Sequence, residues 1–195
     1  MSILSLIESW IEDEDKVLDL GCGDGKILAE LKLKKNITAL GVEIEDKNIE
    51  TCLIKGINVI EQNIDNGLSN FTDDSFEIVI MSQTIQVLKK PEYALREITR
   101  IGNKCIVTIP NFGNWRSRLA LLFTGKMPIT NELPDRWNET PNIHLCTLKD
   151  FEDLCEDIEI ITEERISVNS KNEEKWYLNL WPNLLSSSAI YKISK

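Results

Sequence analysis

The chain has 195 residues, 42% of them hydrophobic and 28% charged. That length suits one domain with a core of its own, and the composition excludes whole-chain disorder. Lys and Arg number 22 against 32 Asp and Glu, a formal net charge of −10. This acid excess argues against nucleic-acid and anionic-membrane partners, whose phosphates need basic surface.

The segment from Met1 to Asp15 lacks the basic start of a leader peptide and carries acids at Glu8, Glu12, Asp13, Glu14 and Asp15. Val17–Leu20 is a short apolar run closed by glycines, the pattern of a buried strand. Lys26–Lys35 places Ile27, Leu28 and Leu31 on one face and ends in cations, as a helix would. Thr38–Glu43 reads as a second strand. Asp46 is placed to cap a helix over Lys47–Lys55, with Gly56 as its stop. Asn58–Ile64 and Phe76–Met81 read as the third and fourth strands. Pro91 opens a helix whose stripe is Ala94, Leu95, Ile98 and Ile101, and Gly102 ends it. Lys104–Ile109 is the fifth strand. Strands alternating with helices predict parallel βαβ units in an α/β fold.

After Pro110 the texture changes. Asn111–Cys146 is rich in aromatics, Asn and Pro, with a short helical piece over Arg116–Phe123. Thr147 caps a helix through Cys155, with Asp150 at the capping-box position. The acidic stretch Asp150–Glu164 reads as a solvated helix face. Ile158–Val168 and Ser186–Ile193 read as two closing strands without a helix between them, hence an antiparallel edge. The expected organisation is a single domain: a ligand-binding half over 1–110, an insertion over 111–146, and a closing unit over 147–195.

The five cysteines (Cys22, Cys52, Cys105, Cys146 and Cys155) form no CxxC pair, and His144 is the only histidine. Neither a disulfide framework nor a metal site is expected. The longest apolar stretch, Leu119–Phe123, is far below the roughly 18 residues that span a bilayer. A reduced, cytoplasmic protein is the reading.

The sharpest motif is Asp19-Leu20-Gly21-Cys22-Gly23-Asp24-Gly25, directly after the first strand and opening the first helix. Glycines there permit a tight turn and a close approach of ligand to backbone, and a ligand anion would meet N–H groups at the helix start. The third glycine comes one residue too early for the dinucleotide fingerprint, which excludes a nicotinamide oxidoreductase. This G-x-G-x-G form after Asp-Leu resembles the first motif of class I S-adenosylmethionine (SAM)-dependent methyltransferases. Glu43 closes the second strand, where a carboxylate can accept both ribose hydroxyls. Asn63-Ile64-Asp65 follows the third strand; the resemblance puts Asn63 at the adenine-contacting position, with Asp65 as the alternative. Asp19 either accepts bonds from the loop backbone or meets the ligand through water. Cys22 reads as a small loop residue rather than a nucleophile. The cofactor set expected for SAM, or its demethylated product S-adenosylhomocysteine, is Asp19, Gly21, Cys22, Gly23, Gly25, Glu43, Asn63, Ile64, Asp65 and Ser82.

Ser82-Gln83-Thr84-Ile85-Gln86 continues the fourth strand, and many small-molecule methyltransferases carry a histidine near Gln86. An amide orients a ligand but is a poor base. The catalytic candidates are His144, Gln86 and Asn111. The substrate or partner candidates are Trp115, Arg116, Arg118, Arg136, Asn142 and His144. His144 reads either as a structural histidine or as a base or substrate contact. Trp115 and Trp137 read as packing anchors or as walls for a sulfonium. Between Phe112 and Thr130 the bases Arg116, Arg118 and Lys126 meet no acid. This basic island suits a small anionic metabolite or an acidic partner face.

Four blocks carry a closer resemblance: Ser82–Gln86 (SQTIQ), Ile109–Arg116 (IPNFGNWR), Leu121–Pro128 (LLFTGKMP) and Thr140–Cys146 (TPNIHLC). Over Val17 to about Cys155 the chain resembles the methionine-biosynthesis protein MetW family. The resemblance implies a Rossmann-like class I methyltransferase sandwich and an accessory role beside a homoserine O-acyltransferase. The second reading is a SAM-dependent methyltransferase acting on a small anionic metabolite. Both use the same cofactor site.

Overall fold

The computed structural model describes residues 3–130 and 133–195. Seven strands, β1 (Lys16–Leu20), β2 (Thr38–Glu43), β3 (Asn58–Glu61), β4 (Phe76–Ser82), β5 (Gly102–Pro110), β6 (Ile161–Val168) and β7 (Ser188–Ser194), form one sheet in the order β3-β2-β1-β4-β5-β7-β6. The first five pair in parallel. β7 pairs antiparallel with both β5 and β6. The chain winds outward through β2 and β3 on one side of β1 and through β4 and β5 on the other. That reversal opens a crevice at the carboxyl ends of β1 and β4, where open α/β sheets bind ligands.

The helices are α1 (Ile3–Ser9), α2 (Lys26–Lys34), α3 (Asp46–Ile54), α4 (Pro91–Ile101), α5 (Trp115–Thr124), α6 (Leu148–Asp157) and α7 (Pro182–Leu185). Successive strand residues point to opposite faces, and here both faces are covered. Ile78 and Ile80 of β4 join Leu6, Leu28, Leu31 and Cys52 of α1, α2 and α3. Val79 and Met81 join Leu95 and Ile98 of α4 and Phe151 of α6. The apolar strand runs therefore reflect a sheet buried on both sides.

Most expected boundaries match, and the departures have local causes. The third strand stops at Glu61 rather than Ile64. The Asn63 carboxamide oxygen accepts the Asp65 N–H at 2.9 Å and folds Ile64–Asn66 into a 3-10 turn. Glu45, not Asp46, holds the cap position of α3, and neither side chain closes a cap bond there. Gly102 ends α4 and already starts β5. A Cβ at Gly102 would stand 2.5 Å from the Val79 side chain, so only glycine lets the strand begin there. The Thr147–Asp150 capping box forms in both directions, at 3.2 and 2.8 Å. The closing strands are antiparallel as read, but the link between them holds a 3-10 turn (Trp176–Asn179) and the one-turn α7. The acidic stretch is not one solvated helix face: α6 ends at Asp157, Glu163 and Glu164 lie on β6, and Glu152 accepts the Tyr191 hydroxyl at 2.9 Å and Arg165 at 2.7 Å. The acid-rich start forms α1, whose Leu6 and Ile7 are buried. No helix among the described residues is long and apolar enough to cross a membrane.

Candidate functional site

The glycine loop leaves β1 with Gly21, Gly23 and Gly25 all at positive φ (75°, 54° and 70°), a region that L side chains enter only at a cost. Two of these glycines serve internal packing. A Cβ at Gly21 would meet Thr84 Oγ1 at 2.5 Å, and one at Gly25 would meet Cys52 Sγ at 2.8 Å; Gly23 faces open space. The loop's N–H groups are also spoken for. Gly21 and Cys22 donate to the Val42 carbonyl, Gly25 donates to the Cys22 carbonyl, and Gly23 donates to Glu43 Oε2 at 2.8 Å. These four loop N–H groups therefore already have partners within the chain.

Glu43, at the end of β2, is 7% exposed. Its Oε1 accepts the N–H groups of Ile44 at 2.7 Å and Glu45 at 3.0 Å, while Oε2 holds Gly23. A carboxylate offers about four acceptor sites. The side chain thus clips the glycine loop to β2 and retains roughly one free lone pair toward the cleft beside it. That cleft measures about 290 Å³ and is bounded by Gly21, Glu43, Asn63, Ile64, Thr84 and Val87. This is near the lower end of small-molecule sites, about 300–1,000 Å³.

Asp19 does not line the cleft. It is 1% exposed on β1, and neither carboxylate oxygen has a hydrogen-bond partner among the described residues. The first scheme expected from sequence, bonds from the loop backbone, is therefore not formed. Burial, and secondarily the charge of Glu43, push its pKa up from 3.8 to about 7. Cys22 and Cys52 lie with sulfurs 3.9 Å apart, and burial drives both thiols upward. Neither is an activated nucleophile.

Asp65 turns away from the cleft, its Oδ1 accepting the Lys89 N–H at 2.9 Å. Ser82 faces β5, its hydroxyl 3.1 Å from that of Thr108. The segment after the fourth strand, whose amides the sequence reading offers as ligand-orienting groups, walls the opposite side through Gln83, Thr84, Val87 and Leu88. Gln83 holds φ at +53°, fixed by its N–H to Thr108 Oγ1 at 2.8 Å and by Gln86 Nε2 donating to its carbonyl at 2.7 Å. A non-glycine residue in that region costs of order 1–3 kcal/mol and such strain clusters at functional sites. The sequence signal of this wall is its two amides, Gln83 and Gln86, placed between the fourth strand and Val87-Leu88.

The catalytic candidates do not converge on the cleft. Asn111 is corrected to a structural role: it is 3% exposed, its amide nitrogen donates to the carbonyls of Asn183 and Ser186, and its oxygen accepts the Gly113 N–H. Gln86 is buried, its carbonyl accepts the N–H groups of Ile143 and His144, and its Oε1 is unpartnered among the described residues. His144 is exposed and edges a second cavity of about 330 Å³ with Gln86 and Phe151. Asn142 donates its backbone N–H to Thr140 Oγ1 and lines a narrow adjoining cavity. Arg136 sits apart, with Lys126 and Trp137 around an open cleft of about 570 Å³. Trp115 is exposed rather than a packing anchor, with the Arg116 guanidinium 5.4 Å above its ring. Arg118 donates to the Gly113 carbonyl.

Comparison with solved structures bears out the sandwich. A SAM-dependent methyltransferase of Thermotoga maritima superposes with a TM-score of 0.68 at 18% identity, covering 98% of this chain and 87% of that one. A S-adenosylmethionine-dependent methyltransferase of Mesorhizobium loti gives 0.70 at 13% identity, covering 98% and 96%. Likeness at these identities speaks to fold alone. A curated protein of Rhodopirellula baltica, described as a bifunctional methionine biosynthesis protein MetXA/MetW, is 29% identical over 198 residues, which is 97% of this chain. The chain spans 31% of that relative's length. The family described as methionine biosynthesis protein MetW matches residues 2–193, well past Cys155, where the resemblance read from the sequence ends. The chain therefore belongs to the MetW family of methionine biosynthesis proteins, built on the class I methyltransferase fold.

Proposed function

We propose that this protein binds SAM, or S-adenosylhomocysteine, in the cleft at the β1–β4 crevice and acts as an accessory subunit of a homoserine O-acyltransferase. The chain is read as one methyltransferase-like domain, with the cofactor half over 1–110, the insertion over 111–146 and the closing unit over 147–195. The observation that carries the reading is the cleft's composition. Its ionisable side chains are two carboxylates, Glu43 and Glu45, and the rest are amides, a hydroxyl and aliphatic groups. Amides orient a ligand without exchanging protons near neutral pH. Such a wall suits retention of a ligand better than proton-assisted chemistry on it.

The residues fit the cofactor. Glu43 has a free acceptor site for a ribose hydroxyl, and Asn63 and Ile64, which the methyltransferase resemblance assigns to adenine, line the same cleft. Asp19 is an uncompensated carboxyl beneath the loop, and a cation in the cleft would favour its ionised form through the field. Bound SAM supplies a sulfonium methyl, an ammonium and a carboxylate. This chain's residues would hold and orient it: Gly21 sets the loop against Thr84, Glu43 fixes loop to strand, and Val87 and Leu88 exclude water.

The partner half of the proposal draws support from the Rhodopirellula relative, whose name joins MetXA and MetW in one chain. Methyl transfer to a small anionic metabolite is the second reading, favoured by the Lys126–Arg136–Trp137 cleft. That cleft shares no lining residue with the proposed SAM cleft, which weighs against this second reading. The test is twofold. Calorimetric titration with SAM is expected to show binding that Glu43→Ala weakens at least tenfold; unchanged binding would remove the cofactor assignment. The acyltransferase of the same organism is expected to form a complex with this protein and change rate on doing so. A methylated product from candidate acceptors, with no effect on the acyltransferase, would favour the second reading.

A further inference from the structure

Helix α5 is built inside out. A surface helix normally turns its apolar stripe to the core. In α5 the only buried residue is Ser117. Trp115, Leu119, Leu122 and Phe123 fall at positions i, i+4, i+7 and i+8, one face of the helix, and they are 42%, 40%, 74% and 78% exposed. Arg116 and Arg118 flank that stripe on either side, and Lys126 follows just after the helix ends at Gly125. None of these three cations makes an ion pair among the described residues. Met127 and Ile129 extend the apolar surface at 39% and 62% exposure. The helix is nonetheless firmly seated: the Asn114 side chain caps it at Arg116 N and also donates to the carbonyls of Leu185 and Ser186.

Contiguous exposed apolar surface of this kind marks an interaction site, and Trp, Phe, Met and Arg are the residues enriched in interface cores. The charge pattern selects the occupant. A twofold dimer through this face would bring two copies of the same cationic patch together, because an isologous interface pairs a patch with itself, and like charges juxtaposed across an interface cost several kcal/mol. An anionic membrane would be repelled by the chain's net charge of −10. What remains is another protein offering an apolar groove edged by carboxylates. Helix α5 follows β5, so it starts at the carboxyl end of the parallel strands, the end that carries the cleft proposed for SAM.

We propose that the outward face of α5, through Trp115, Leu119, Leu122 and Phe123 with Arg116 and Lys126 at its rim, is the surface that docks into an apolar, acid-edged groove of the homoserine O-acyltransferase. This rests on the accessory-subunit reading above, and it adds where the contact lies. The experiment measures binding of the acyltransferase to the wild type, to Leu122→Ala/Phe123→Ala, to Arg116→Glu/Lys126→Glu, and to Leu33→Ala/Ile54→Ala. Leu33 and Ile54 are equally exposed, at 86% and 80%, but sit on α2 and α3. The expected result is a ten- to hundredfold loss for the α5 apolar pair, a loss that shrinks as salt is raised for the charge pair, and no change for the α2/α3 pair. Retention of the wild-type melting temperature separates docking from folding. If the wild type does not bind the acyltransferase, the accessory reading itself fails. If the wild type binds and the α5 pair binds equally well, the reading stands and the docking surface is overturned. A wild-type dimer in light scattering that Leu122→Ala/Phe123→Ala dissolves would assign the face to a second copy. Vesicle co-sedimentation abolished by the same pair, with the complex intact, would assign it to a membrane; either result refutes the proposal.

Discussion

Asp19 offers the most quantitative test of the site's electrostatics. Its carboxyl titrates near 3.8 in an unfolded chain and at about 7 when folded, chiefly because burial disfavours the charge and secondarily because Glu43 is near. The folded pKa is raised, so between pH 3.8 and about 7 the unfolded chain gives up its proton while the folded chain keeps it. The unfolded state then binds fewer protons, and stability falls as pH rises through that window. At 1.36 kcal/mol per unit, the full penalty above pH 7 is about 4 kcal/mol. Asp19→Asn keeps the shape and removes the titration, at the cost of its own unpartnered amide, about 1–3 kcal/mol. Urea unfolding followed by circular dichroism at pH 4.5, 6 and 8 should show the variant gaining on the wild type at each step, by about 3 kcal/mol in total. SAM affinity should rise with pH through the same window in the wild type and stay flatter in the variant, because a bound cation favours the ionised carboxylate. Stability curves that run parallel from pH 4.5 to 8 would show that Asp19 is not an uncompensated buried acid.

Three further outcomes follow from the geometry. Gly21→Ala adds a Cβ 2.5 Å from Thr84 at φ +75°, whereas Gly23→Ala adds one in open space at φ +54°; thermal unfolding should show about 1 kcal/mol lost at Gly23 and 2–4 at Gly21, and equal losses would contradict the packing of Thr84 on the loop. Tyr191→Phe removes the hydroxyl that donates to Glu152 at 2.9 Å, with an expected cost of about 1–2 kcal/mol in chemical denaturation, and a neutral result would mean Glu152 is held by Arg165 alone. Burial pushes Cys146 to about 11 and Cys155 to about 12, and raises the other three thiols too; an aromatic disulfide reagent at pH 7.5 should react slowly with the native protein and rapidly in denaturant, and a fast native thiol would contradict this.

The parallel half of the fold was legible because each strand there is a continuous apolar run and each helix carries a stripe, so period alone separates them. The glycine loop and Glu43 were legible because a positive-φ turn between strand and helix demands glycine, and a strand-end acid has few other uses. Other parts were hidden by contacts distant in sequence. That Glu43 spends three acceptor sites on backbone N–H groups is a property of the folded loop, 20 residues away at Gly23. Asn111 resembles a polar site residue until the chain returns 72 residues later to offer it the carbonyl of Asn183. Gln83 gives no sign of its strained backbone, which Thr108 on the next strand imposes. The acid-rich start hid α1 because its charge spoke to targeting while Leu6 and Ile7 spoke to packing.

Net charge and patch charge answer different questions in this chain. An excess of ten acids acts at long range, yet at physiological salt charges are screened beyond about 8 Å. A partner closing on α5 feels what lies within that distance, and the stretch from Phe112 to Thr130 carries three bases and no acid. That stretch's own contribution to the near field is therefore opposite in sign to the molecule's far field. The far field discourages self-association and adhesion to nucleic acid or anionic lipid. The near field then rewards only a partner that brings its own carboxylates to the rim of an apolar groove. Specificity arises as much from what the acidic bulk rejects as from what the basic helix attracts, and this is why one chain can hold both an exposed Leu-Phe pair and a strongly acidic surface without contradiction.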